Sequence, residues 1–115
     1  MTFTYVFTGI PVADITAGRG WYERLLDRVP DLVPNADEAA WQLTDTGWIY
    51  LIADPGRAGS SLHTVLVDDL ERWVADLRGR GLEPDPIETI PGAARTSTIT
   101  DPDGNRIQFG QPVAG

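Results

Sequence analysis

Side chains able to do chemistry are few in this chain and unevenly spread. There is no cysteine and a single histidine, His63. Thiolate metal sites, disulfides and multi-histidine clusters are therefore excluded from the outset. Carboxylates are plentiful, 17 acids against nine bases, but nothing in the sequence shows a base–orienter–nucleophile arrangement. Asp14 and Asp69 each precede an apolar helical pattern and read as N-caps. Asp101-Pro102-Asp103-Gly104-Asn105 places proline early and glycine where a positive φ is wanted, so it reads as a turn and not as a catalytic acid pair. What remains is aromatic: Phe3, Tyr5 and Phe7 at alternate positions, then Trp48 and Tyr50. Aromatic faces stack on planar molecules and attract cations.

The net charge of −8 repels phosphate backbones, which argues against a nucleic-acid partner, and attracts a cationic small molecule over long range. Acidity also aids solubility without further function. At 115 residues and 42% apolar content, the chain is one domain with a single hydrophobic core. No stretch approaches the roughly 18 apolar residues of a membrane span, and Met1 to Tyr5 has no basic leader before an apolar run. The expected location is the cytoplasm, with no membrane partner.

The elements that must position these residues follow from periodicity. Phe3 to Val12 predicts a strand, and Asp14 opens a helix whose apolar face is Trp21, Tyr22, Leu25 and Leu26. Gly18 and Gly20 weaken it by about 1 kcal/mol each, and Pro30 and Pro34 are expected to punctuate its exit. A short strand near Leu32-Val33 precedes a hairpin of Ala39–Thr44 and Trp48–Ala53 turning at Asp45-Thr46-Gly47. After a loop from Asp54 to Ser60 the pattern restarts. Leu62–Val67 predicts a strand, and Leu70, Trp73, Val74 and Leu77 form a helix face closed by Gly79 and Gly81. Ile87–Ile90 is a short strand, and Ala94–Thr100 with Arg106–Gln111 makes a second hairpin.

Val12-Ala13-Asp14-Ile15 recurs as Val67-Asp68-Asp69-Leu70, a shift of 55 residues. Each copy joins a strand to a capped helix, which points to duplication of a small unit. On these residues, with Trp21-Tyr22 and the closing Thr100-Asp101-Pro102-Asp103-Gly104-Asn105-Arg106-Ile107-Gln108-Phe109, the chain resembles the vicinal oxygen chelate superfamily of glyoxalases, bleomycin-resistance proteins and extradiol dioxygenases. The resemblance implies an α+β fold of two tandem βαβββ modules, residues 1–56 and 57–115. Their sheets would form an open, curved half-barrel around a pocket, with the helices packed outside. Such proteins are usually homodimers.

The family's metalloenzymes hold a divalent ion with side chains from the first and last strand of each module, typically His or Gln and then Glu. Those positions correspond here to Phe7 and Leu62 on the first strands, with Tyr50 and Gln108 on the last. Two of the four are hydrocarbons, and a divalent ion wants three or more N, O or S ligands. No metal or other cofactor is expected. His63 lies one residue from the ligand position, so its imidazole points to the other face with Val65 and Val67. It reads as a partly exposed strand-end histidine.

Alternation assigns the pocket walls. Phe7 would share its face with Tyr5 and Phe3, with Gly9 leaving an opening. Tyr50 would be joined by Trp48 and Ile52, Leu62 by Thr64 and Leu66, and Arg106 by Gln108. The predicted ligand-binding residues are Phe7, Trp48, Tyr50, Leu62, Thr64, Arg106 and Gln108, with no catalytic residue. The expectation is a metal-independent binding protein that sequesters a planar small molecule, a cationic one being favoured by the charge. The alternative is a glyoxalase-like lyase or isomerase, or a dioxygenase-type enzyme, metal-free or with an atypical metal site. It would use Tyr50 or His63 as acid or base beside Arg106. A third reading is a structural dimer whose interior is filled by its own side chains.

Overall fold

The computed structural model describes residues 1–113; residues 114 and 115, the end of the second module as bounded above, lie outside the described residues. The first module runs β1 (Val6–Val12), α1 (Ile15–Leu26), β2 (Leu32–Asn35), β3 (Glu38–Gln42) and β4 (Gly47–Ala53). The second runs β5 (Leu62–Leu66), α2 (Leu70–Gly79), β6 (Glu88–Ile90), β7 (Ala94–Thr100) and β8 (Arg106–Pro112). Each forms its own mixed sheet, ordered β1-β4-β3-β2 and β5-β8-β7-β6. In both, the opening strand pairs in parallel with the closing strand. The duplication read from the sequence is therefore a duplication of topology.

Strand boundaries follow the available partners. The first strand begins at Val6 instead of Phe3, because β4 begins at Gly47, opposite Val6, and nothing pairs the residues before it. Pro34 lies inside β2 instead of marking the helix exit. It is tolerated there because β2 is an edge strand, where a missing N–H breaks no ladder.

Both helices start on the aspartates that the sequence marks. Asp14 accepts from the Thr16 and Ala17 N–H groups at 3.3 and 3.4 Å, and Asp69 from the Arg72 N–H at 3.2 Å. Gly81, at φ 78°, ends α2. The Leu82 N–H returns to the Leu77 carbonyl and the Gly81 N–H to that of Arg78, both at 3.0 Å, the Schellman pattern. Gly18 lets α1 approach β1, since a Cβ there would stand 3.1 Å from Val12.

One core spans both modules. Ile10, Val12, Tyr22, Leu25, Trp41 and Leu51 of the first pack in a single cluster with Leu70, Val74, Leu77, Ile107 and Phe109 of the second. The helix C-termini are tied crosswise: Arg80 Nη2 donates to the Leu25 carbonyl at 2.8 Å, and Arg24 Nη2 to that of Arg80 at 3.0 Å.

The turn at Asp101–Asn105 joins the modules as well as reversing the chain. Asp101 Oδ1 accepts the backbone N–H groups of Asp103, Gly104 and Asn105, each at 2.9 Å. Its Oδ2 accepts from Tyr22 Oη at 2.8 Å and Asn105 Nδ2 at 2.9 Å. Asn105, fully buried, also donates to the Pro11 carbonyl at 2.7 Å and accepts from the N–H groups of Gly59 and Ser61 and the Ser61 hydroxyl. Burial, then the adjacent Asp101 carboxylate, pushes the Tyr22 phenol far above its usual range. Tyr22 thus stays a donor. No helix among the described residues is long and apolar enough to cross a membrane.

Candidate functional site

Alternation divides β1, β3 and β4 of the first sheet between the core and the opposite face. Ile10 and Val12 of β1, Ala39 and Trp41 of β3, and Ile49 and Leu51 of β4 are buried in the core. Phe7, Glu38, Ala40, Tyr50 and Ile52 therefore fall on the opposite face. With Leu32 and Pro34 of β2 they line an open groove of about 210 Å³. Phe7 is 49% exposed and stacks on Trp48, its register partner across the parallel pair, with ring centroids 5.2 Å apart and planes at 19°. Phe7 and Tyr50 thus line the groove directly, and Trp48 supports one wall.

Gly9 does not leave an opening. The Tyr50 ring lies across it, and a Cβ at Gly9 would stand 2.7 Å from both Tyr50 Cζ and Oη. The glycine is a seat that lets the phenol ring lie flat on the strand. Among the described residues, Glu38 alone brings a charge to the groove's lining. The hairpin strand expected from Ala39 begins one residue earlier, at Glu38, so the pattern read from Ala39 does not reach it. Extending the alternation of Trp41 and Ala39 back by one position puts Glu38 on the face of Tyr50, and its Oε1 accepts from Asn35 Nδ2 at 3.2 Å.

The other four predicted residues gather on the second sheet. Leu62 pairs with Arg106 and Thr64 with Gln108 across β5 and β8, and Thr64 Oγ1 donates to Gln108 Oε1 at 3.1 Å. Leu62 and Leu66 are 53% and 63% exposed. The groove takes none of its lining from this sheet. The seven residues thus fall into two groups on two open faces, one aromatic and acidic, the other aliphatic and polar with one guanidinium.

Neither group suits a divalent ion. The positions that the family resemblance assigns to metal ligands are Phe7, Tyr50, Leu62 and Gln108, and no three His, Asp or Glu side chains gather anywhere among the described residues. Two hydrocarbons, a phenol and an amide are too poor a donor set.

His63 points away from both faces. Its Nδ1 lies 2.7 Å from Thr8 Oγ1, a contact between β1 and β5 that bridges the modules. Burial lowers its pKa from the usual 6.5, and the negative charge of Asp101 opposes that shift. More than a strand-end residue, it is part of the seam between the two sheets. It stands apart from the Tyr50 groove.

Two modules of this order, sharing one core and leaving a curved sheet open to solvent, define a duplicated α+β fold with an accessible groove. The chain belongs to the glyoxalase/bleomycin resistance protein/dioxygenase superfamily, whose family model matches residues 4–109. Among solved structures, a glyoxalase/bleomycin resistance protein from Catenulispora acidiphila superposes with a TM-score of 0.88 at 35% identity, over 95% of this chain and 98% of that one. An antibiotic binding protein from a Streptomyces strain gives 0.76 at 26% identity, over 97% and 98%. A bleomycin-binding protein complexed with bleomycin gives 0.77 at 20% identity, over 92% and 96%, a likeness of fold. Among curated protein sequences, none matches the chain.

Proposed function

We propose that this chain is a metal-independent binding protein that sequesters a planar, cationic small molecule without transforming it. The observation carrying this reading is the groove itself, with the Phe7 and Tyr50 rings beside the Glu38 carboxylate. Rings offer stacking faces, a carboxylate offers charge complementarity, and apolar walls with few polar groups are the usual recipe of a small-molecule site. Structural likeness to an antibiotic binding protein and to a bleomycin-binding protein supports the same class.

In this reading the halves 1–56 and 57–115 work as one domain in the cytoplasm, and the protein is a homodimer. Phe7, Leu62 and Leu66 leave large apolar surfaces uncovered on both open faces, which a second copy would cover. The Leu62, Thr64, Arg106 and Gln108 face of one copy would then complete the aromatic groove of the other.

Titration with ethidium, a planar aromatic cation, tests the proposal. Tryptophan fluorescence should be quenched saturably, unaffected by EDTA, with quenching lost in Trp48→Ala and affinity reduced in Glu38→Gln. Absence of saturable binding across ethidium and a panel of aromatic cations would refute it. Sedimentation equilibrium checks the dimer.

A further inference from the structure

A second cavity lies between the modules, on the core side of the sheets and away from the groove. It encloses about 180 Å³. Ile10, Leu25 and Ile49 line it from the first module, and Val65, Ile107 and Phe109 from the second. Leu66 stands at its rim. An apolar cavity of about 150 Å³ takes up a benzene ring in preference to water, so this one has room for a ring with a small substituent.

Two features set the chemistry of an occupant. No Asp, Glu, Lys or Arg among the described residues lines the cavity, so an ionic guest would lose its hydration with no counter-charge to offset the loss. His63 and Trp73, both in the lining, each keep a buried ring nitrogen, Nε2 and Nε1, without a hydrogen-bond partner among the described residues. Buried polar atoms are nearly always paired, and exceptions call for an explanation. The indole N–H needs an acceptor. Nε2 needs either a donor or an acceptor, depending on which way the proton of the Thr8–His63 bond lies. A hydroxyl group suits either nitrogen, because it both donates and accepts.

We propose that this inter-module cavity is a second binding site, specific for a small neutral ring bearing one hydroxyl group, with His63 and Trp73 as its polar anchors. It is independent of the groove on the first sheet and takes a different class of molecule.

Phenol, toluene and benzoate are the probes, titrated into the full chain and followed by methyl NMR. Phenol should shift the Leu25, Val65 and Ile107 methyls saturably and bind about fivefold more tightly than toluene, as one net hydrogen bond implies; benzoate should leave them unmoved. His63→Leu should erase the preference for phenol over toluene. Val65→Phe, which fills the cavity, should abolish the phenol shifts while the Ile52 methyl in the groove keeps its position. Should Val65→Phe fail to fold, the wild-type ranking of the three probes decides alone. Phenol shifts confined to Leu32 and Ile52, equal binding of phenol and toluene, or binding of benzoate would each overturn the proposal.

Discussion

Replacing Gly9 with alanine separates the groove from the stability of the fold. The added methyl would meet Tyr50 Cζ and Oη at 2.7 Å, whereas ordinary contacts start near 3.4 Å. The ring must therefore retreat by about 0.7 Å or tilt off the strand. The obstructing atoms are the far end of a side chain, so the backbone need not yield. Removing a strand glycine also gains about 0.5 kcal/mol through the unfolded chain. Net stability by urea unfolding should stay within about 1 kcal/mol of wild type. Ligand binding should not. An aromatic contact of about 0.5–1.5 kcal/mol depends on where the phenol ring lies, so the ethidium dissociation constant should rise about 2- to 12-fold. A double-mutant cycle isolates the cause: in a Tyr50→Ala background, Gly9→Ala should cost no further affinity, because no ring is left to displace. Equal losses in both backgrounds, or a collapse in stability, would refute the account of Gly9 as the seat of Tyr50.

Asn105→Ala strips the Pro11 carbonyl and the N–H groups of Gly59 and Ser61 of their shared partner. It should cost about 3 kcal/mol or more in urea unfolding; a loss under about 1 kcal/mol would show that the turn does not hold the modules together. His63 titrates below its usual value when folded, so its contribution to stability is complete above the unfolded value of 6.5 and is lost as pH falls through the folded one. Wild type should therefore lose more stability between pH 7 and acid than His63→Gln, whose side chain does not titrate. Parallel pH profiles would remove His63 from the seam.

The parts of the structure governed by short-range chemistry were legible in the sequence. Asp14 and Asp69 cap the helices, Gly81 closes α2, and the repeat of Val12-Ala13-Asp14-Ile15 at Val67 marks a repeated topology. Tyr50 and Ile52, which alternation sets on one face, both line the groove. What stayed hidden depends on pairing between distant strands. Tyr50 reaches Gly9 because β1 and β4 run in parallel in a register that sets the two residues side by side. No local pattern announces that contact. The bond from Asn105 to Pro11 spans 94 residues, and the turn motif would read the same without it. Glu38 escaped for a simpler reason: strand ends are poorly marked, and it is a terminal residue of β3.

The two copies of the repeat no longer resemble each other in what they contribute. The second holds the fully buried Asn105 and its carboxylate neighbour, which tie the halves together, whereas the corresponding hairpin of the first turns at Asp45-Thr46-Gly47. The first instead displays Phe7 and Glu38 at a surface where an altered side chain has little effect on folding. Under the binding role proposed above, substitutions at Phe7 and Glu38 would change which guest is taken up while the Asn105 network keeps the architecture intact.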